Sequence, residues 1–327
     1  MSDIPSLASR KVVVYAVGGN ALSDPSAAGL ESREKSEAAL SGVLEDIVDL
    51  LESGHSVVMT HGNGPQVGEL LLMEEALLDR RRQSGDIYRE PCGLAEWVAA
   101  TQGTLGLTIA EALENRIHSR GRHESVVSLI TRVEVSQDDP AFLSPTKPVG
   151  PFIDDLNAIP DHWSVGVSSG DKGPRRVVGS PHPNSILDLE AIESLLSAGA
   201  VVLCCGGGGV PVVVGENGVK SIDGVIDKDR VSSLLARSIE ADAFILSTAV
   251  PCISIGFGTP AQDDLITIDV DSASVHLENG EFPPGSMGPK VEAMIEVKSS
   301  LPNCSVVLCM PGKAYDALRG VEGTTLL

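Results

Sequence analysis

SVVMTHGNGPQVG, residues 56–68, sets an apolar, β-branched run directly against a glycine-rich turn and a proline. Ser56 to Thr60 has the composition of a buried strand, and Gly62, Asn63 and Gly64 form the turn. Pro65 suits the first turn of a helix, where its missing N–H leaves no bond unmade. Val67, Leu70, Leu71 and Leu77 then recur at helical spacing. Working upstream, VVVYAV (Val12 to Val17) runs into Gly18-Gly19-Asn20. A helix follows on Leu40, Val43, Leu44, Ile47 and Leu51, with Gly54 as its stop. Strand, turn and helix twice over is a βαβ unit, which predicts an α/β fold on a parallel sheet. Downstream the alternation continues. A helix from Glu96 to Asn115 carries Thr101, Gly103 and Gly106, small residues that admit another backbone from a partner subunit or from this chain. A helix near Leu187 to Leu196 leads to strand AVVLCC and the run GGGG. Helix Asp229 to Ile239, strand AFILST, helix Pro289 to Lys298 and strand SVVLCM complete the series. Residues 123–179 read differently, with many Pro, Gly and Asp and only short β-like runs, and predict an inserted protruding subdomain or lid.

A chain of 327 residues with 42% hydrophobic residues can bury a large core, which excludes disorder. Lys plus Arg number 24 against 45 Asp plus Glu, a formal charge of -21 that repels nucleic acid and anionic membranes. No apolar stretch approaches the ~20 residues of a membrane span, and MSDIPSLASRK lacks a charged-then-apolar leader, so the expected compartment is the cytoplasm. Six cysteines (Cys92, Cys204, Cys205, Cys252, Cys304 and Cys309) show no CxxC pair and no His at zinc spacing, and read as reduced core residues.

An acidic chain that binds an anion must gather positive charge locally. Four glycine-rich turns follow predicted strands: Gly18-Gly19-Asn20, Gly62-Asn63-Gly64, Gly206 to Gly209, and Gly285-Ser286-Met287-Gly288. Residues without Cβ let N–H groups approach a phosphate, and a following helix adds its positive end. Neither GxxxxGK[ST] nor a complete GxGxxG is present, so the P-loop and dinucleotide readings lack their central residues. Lys228 stands immediately before Asp229, the expected N-cap of one helix, and Lys290 lies in the first turn of another. A cation there opposes the helix dipole by about 0.3–1 kcal/mol. Two such violations at equivalent places point to a bound phosphate that supplies the missing negative charge.

With these residues in view, the sequence resembles the carbamate kinases of the amino acid kinase family along nearly its whole length. The resemblance rests on AVGGNAL (Ala16 to Leu22), THGNGPQVG (Thr60 to Gly68), TQGTLG (Thr101 to Gly106), DDPAFLSPTKPVGPF (Asp138 to Phe152), CGGGGVPV (Cys205 to Val212), GVIDKD (Gly224 to Asp229) and GSMGPKVEA (Gly285 to Ala293). It implies a three-layer αβα sandwich in a single domain over 1–327, a protruding subdomain near 123–179, a nucleotide-binding half from about 200 to 327, and a homodimer. It also implies reversible phosphoryl transfer between ADP/ATP and carbamate/carbamoyl phosphate. Gly18, Gly19, Asn20, Gly62, Asn63 and Gly64 would cradle the acid, Lys147, Lys228 and Lys290 would stabilise the transferred charge, and Asp229 would aim two of those lysines. Gly208, Gly209, Thr248, Ala249, Gly285, Ser286, Met287 and Lys290 would face the nucleotide. Two departures from the pattern stand out: Ala249 within Thr248-Ala249-Val250-Pro251, and Gly179 with His182 after Arg175 and Arg176. Mg²⁺ is expected to arrive on the nucleotide phosphates, with no metal-ligand set of the chain's own. Two alternatives stay open: a related kinase acting on another small acid, and a non-catalytic metabolite sensor.

Overall fold

A computed structural model of the chain describes residues 11–18, 30–64, 66–84, 92–153, 155, 159, 163–167 and 173–327. Its helices in chain order are α1 (Leu30–Glu52), α2 (Gln66–Ser84), α3 (Leu94–Ser119), α4 (Leu189–Ser197), α5 (Lys228–Ser238), α6 (Val270–Glu278), α7 (Met287–Ser300) and α8 (Ala314–Leu318). The main-sheet strands are β1 (Val12–Val17), β2 (Ser56–His61), β3 (Val126–Ser128), β9 (Val201–Leu203), β12 (Ala243–Ser247), β15 (Thr267–Ile268), β16 (Ser305–Cys309) and β17 (Thr324–Leu326). They lie in the order β15-β17-β16-β12-β1-β2-β9-β3. All neighbours are parallel except β16 and β17.

Each central strand is apolar on both faces because helices cover both. Side chains of β1 alternate between them. Val13, Tyr15 and Val17 pack with Val43 and Ile47 of α1 and with Ile109 and Leu113 of α3. Val14 and Ala16 pack on the other side with Val231 and Leu235 of α5 and Met294 of α7. The result is the expected αβα sandwich. Cys204, Cys205, Cys252, Cys304 and Cys309 are buried free thiols. Among the described residues no helix is long and apolar enough to cross a membrane.

Three smaller sheets accompany the sandwich, the smallest being the antiparallel pair β13 (Ile253–Ile255) and β14 (Asp263–Leu265). Of the remaining two, one has the order β11-β10-β4-β8, from β4 (Arg132–Val135), β8 (Pro183–Ile186), β10 (Val210–Gly215) and β11 (Gly218–Ser221). The other has the order β5-β7-β6, from β5 (Lys147–Phe152), β6 (Ser164–Gly166) and β7 (Arg175–Val178). The segment expected as an insertion, 123–179, therefore includes a main-sheet strand at its start, because Val126 to Ser128 pair with Val201 to Leu203. The three-stranded sheet docks on α2 by a backbone contact. A Cβ placed on Gly68 would lie 2.1 Å from the Gly150 Cα, and Gly150 has φ +73°. Arg175 secures that bend by donating Nη2 to the Gly150 carbonyl at 2.6 Å. Glu75 of α2 accepts from Trp163 Nε1 at 2.8 Å and from Arg176 at 3.2 Å, while the Arg176 guanidinium sits 4.7 Å over the Trp163 ring.

Candidate active site

The carboxyl ends of β1, β2, β9 and β12 meet at one edge of the main sheet, the usual ligand edge of such a sheet. At β9 the chain turns through Gly206–Gly208, with φ +64° at Gly207, +94° at Gly208 and +80° at Gly209. These glycines permit contact with protein. A Cβ on Gly206 would fall 2.6 Å from the His61 ring, one on Gly207 1.8 Å from Asn63 Oδ1, one on Gly208 2.2 Å from the Ile226 carbonyl, and one on Gly209 2.4 Å from Val133. Two of their amides are committed too: Gly208 N–H donates to Cys205 O and Gly209 N–H to Gly206 O, both at 3.0 Å. Gly18 N–H bonds Ser247 O at 3.1 Å and Gly62 N–H bonds Val17 O at 3.2 Å, extending the strand ladders. These four N–H groups therefore already have backbone carbonyl acceptors. The sheet and the turn use them first.

What the turns do position is Asn63. It is 7% exposed, and its Oδ1 accepts from Thr101 Oγ1 at 3.0 Å. Among the described residues its buried Nδ2 has no hydrogen-bond partner, which leaves a donor for a ligand oxygen. Thr101, read in the sequence for its small size, orients this amide. Beside it His61 is 2% exposed, with Nδ1 in contact with Gly62 O at 3.0 Å. Burial, with Lys228 nearby, holds its pKa below the usual range, so the ring is neutral.

The lysines converge through two carboxylates. The N-cap of α5 is Asp227, two residues before the expected Asp229, and its Oδ1 accepts from the Asp229 N–H at 2.9 Å. That leaves the Asp229 carboxylate free of capping. Its Oδ1 accepts from Lys228 Nζ at 2.6 Å and its Oδ2 from Lys290 Nζ at 3.0 Å, so one buried carboxylate spaces two ammonium groups. Lys147, on β5 of the three-stranded sheet, reaches the same place and bonds Asp227 Oδ2 at 2.5 Å.

Burial pushes the Asp229 carboxyl up, but the charges and hydrogen bonds of Lys228 and Lys290 overcome it and hold the group well below the carboxylate range. Burial likewise opposes ionisation of Asp227 and is outweighed by Lys147. For Lys290, burial works against the charge, yet the Asp229 carboxylate leaves its pKa raised. For Lys228, more deeply placed, burial prevails and the pKa is lowered. Three ammonium groups against two carboxylates leave an excess of positive charge that an incoming phosphoryl anion would neutralise.

On the nucleotide-side positions, Thr248 is half-buried with its N–H on Cys309 O at 2.9 Å, and Ala249 is exposed. Gly285 (φ +113°) and Ser286 are exposed ahead of α7, Met287 is half-buried, and the Ser286 carbonyl accepts from Lys290 Nζ at 3.3 Å. His182 is exposed, with its N–H held by Asp139 at 2.9 Å. Gly19 and Asn20 lie outside the described residues. Asp227 was missed in the sequence. The available signal was its place two residues before Asp229, in the position a helix cap would occupy if Lys228 began the helix.

The chain is similar to known proteins along nearly its whole length. The family model described as the amino acid kinase family matches residues 11–308. The carbamate kinase-like protein YahI of Escherichia coli is 38% identical over 327 residues, covering 97% of this chain and 99% of its own. The carbamate kinase of Staphylococcus haemolyticus is 38% identical over 317 residues, covering 96% and 98%. Among solved structures, the carbamate kinase of Giardia lamblia bound to AMP-PNP superposes with a TM-score of 0.84 at 30% identity, covering 98% of this chain and 99% of that one. On the fold, the paired lysines at two helix starts and these matches, the chain belongs to the amino acid kinase family.

Proposed function

We propose that the chain is a carbamate kinase, catalysing reversible phosphoryl transfer between ADP/ATP and carbamate/carbamoyl phosphate in the cytoplasm, with ATP formation from carbamoyl phosphate as its working direction. The observation that carries the reading is the Lys228–Asp229–Lys290 bridge at two helix starts, with Lys228 near His61, which leads into the Asn63 turn. In that direction a β-phosphate oxygen of ADP attacks the phosphorus of carbamoyl phosphate, the P–O bond to the carbamoyl group breaks, and carbamate leaves as an anion. No proton moves, so no general base is needed, which suits a neutral, buried His61. Lys228 and Lys290 stabilise the charge on the transferred oxygens, and Lys147 approaches from the protruding sheet.

Gly18, Gly19, Asn20, Gly62, Asn63 and Gly64 would hold the carbamoyl group, with the Asn63 amide as one oriented donor. Carbamate offers only a carboxylate and an amino group. A larger amino acid would need its own charged clamp, and the neighbouring guanidinium groups are engaged with Gly150 and Glu75. Thr248, Ala249, Gly285, Ser286 and Met287 would border the nucleotide, with Gly208 and Gly209 shaping the floor beneath it. Mg²⁺ would ride on the nucleotide phosphates, in keeping with site carboxylates already committed to lysines.

The test is direct. ADP, Mg²⁺ and carbamoyl phosphate should yield ATP, and N-acetylglutamyl phosphate should not. Folded protein that binds nucleotide but makes no ATP from carbamoyl phosphate would overturn the reading in favour of another acid or a sensor, with Ala249 and His182 the positions to exchange first.

A further inference from the structure

Lys147 carries a role that needs its ammonium at the transferred phosphoryl group, yet in the ligand-free chain that ammonium is bonded to Asp227. Asp227 is 9% exposed and serves two structures at once. One oxygen caps α5 through the Asp229 N–H, and the other holds the first residue of β5. The end of β7 is fastened alongside, where Val225 N–H donates to Gly179 O at 2.9 Å. The partner that orients the catalytic helix is therefore also the partner that holds the protruding sheet.

We propose that Asp227 is a positioning residue that keeps Lys147, and with it the three-stranded sheet, over the site until a phosphate-bearing ligand takes that ammonium in its place. This rests on the reading that Lys147 meets the transferred group. The exchange is chemically even: one oxyanion replaces another on a half-exposed ammonium, while the second Asp227 oxygen goes on capping α5. Asp229, bridging two other lysines, is not involved in the swap. The lysine thus arrives preoriented, and its bond to Asp227 reports whether the site is filled.

The experiment is amide hydrogen exchange on full-length protein without substrate, so its outcome is independent of which acid is phosphorylated. Asp227→Asn keeps an N-cap acceptor but removes the charge, and Asp227→Ser also caps while being too short to reach Lys147. Both should speed exchange in residues 147–152 and 175–178, roughly fivefold or more, with little change in α5. Lys147→Gln should do the same, and adding Asp227→Asn to it should have no further effect. Saturating inorganic phosphate should narrow the gap between wild type and Asp227→Ser by engaging Lys147 in both. Unchanged exchange in β5 and β7, an equal increment in the Lys147→Gln background, or a gap that phosphate leaves as it was would each overturn the proposal.

Discussion

Asp229 is a short side chain between two long ones, and that difference sets what each substitution should do. Lys228→Ala or Lys290→Ala removes one preorganised charge from the transferring group, which can cost about 3–4 kcal/mol, or roughly 10²–10³ in kcat. The fold should survive either change, since Asp229 keeps its other lysine and Asp227 keeps the cap. Steady-state kinetics beside a melting curve separates the two effects, and near-normal kcat in both variants would remove them from the mechanism. These lysines were legible in the sequence because each breaks a local rule at a helix start. Asp227 was not, because Asp caps helices equally well from position 227 or 229. What decides is Lys290, 61 residues along the chain, which claims the second carboxylate oxygen. Asn63 was legible as a member of a glycine-rich turn, whereas its orphaned Nδ2 appears only once Thr101 has been placed against its oxygen.

At the scale of elements, strands were the easiest to read. Val12–Val17 coincides with its predicted bounds, since buried parallel strands are continuous apolar runs ended by glycine. Helix starts moved by a few residues where capping was ambiguous, as at α5 and at α7, which begins at Met287 rather than Pro289. The contact between α2 and β5 was invisible, because Gly68 and Gly150 are adjacent only in space. It supports a sharp expectation. Gly68→Ala should raise helix propensity by about 1 kcal/mol in isolation. Its Cβ would nevertheless stand 2.1 Å from one Gly150 backbone atom and 2.2 Å from another, and backbone cannot rotate aside. Overpacking costs about 1–3 kcal/mol, so the clash wins. The variant should lose affinity for carbamoyl phosphate more than kcat, as the sheet bearing Lys147 is pushed away. A KM equal to wild type would show that the sheet tolerates the displacement.

For the molecule as a whole, the sequence resemblance carries the expectation of a homodimer, and α3 offers a face for it. Gly103 opens onto empty space, Leu107 one turn later is 60% exposed, and Ile130 beyond edge strand β3 is 58% exposed. Gly106, by contrast, faces inward against Ser128, an intramolecular contact. Leu107→Arg should convert a dimer to monomer in light scattering with little change in the melting transition under dilute conditions, because the residue is mostly exposed in the protomer. A dimer that persists would place the interface elsewhere. The sheet order has a further consequence, in time. β1 lies between β2, its near neighbour in sequence, and β12, whose preceding residue Asp242 bonds Val12 N–H across 230 residues. At ribosomal rates of about 5–20 residues per second, β1 waits roughly 10–50 s for that neighbour to be synthesised. During that interval one apolar strand edge is bare and the two halves of the binding edge exist separately. Early exposure of β1, rather than the final stability of the sandwich, makes this stretch the natural client of a chaperone.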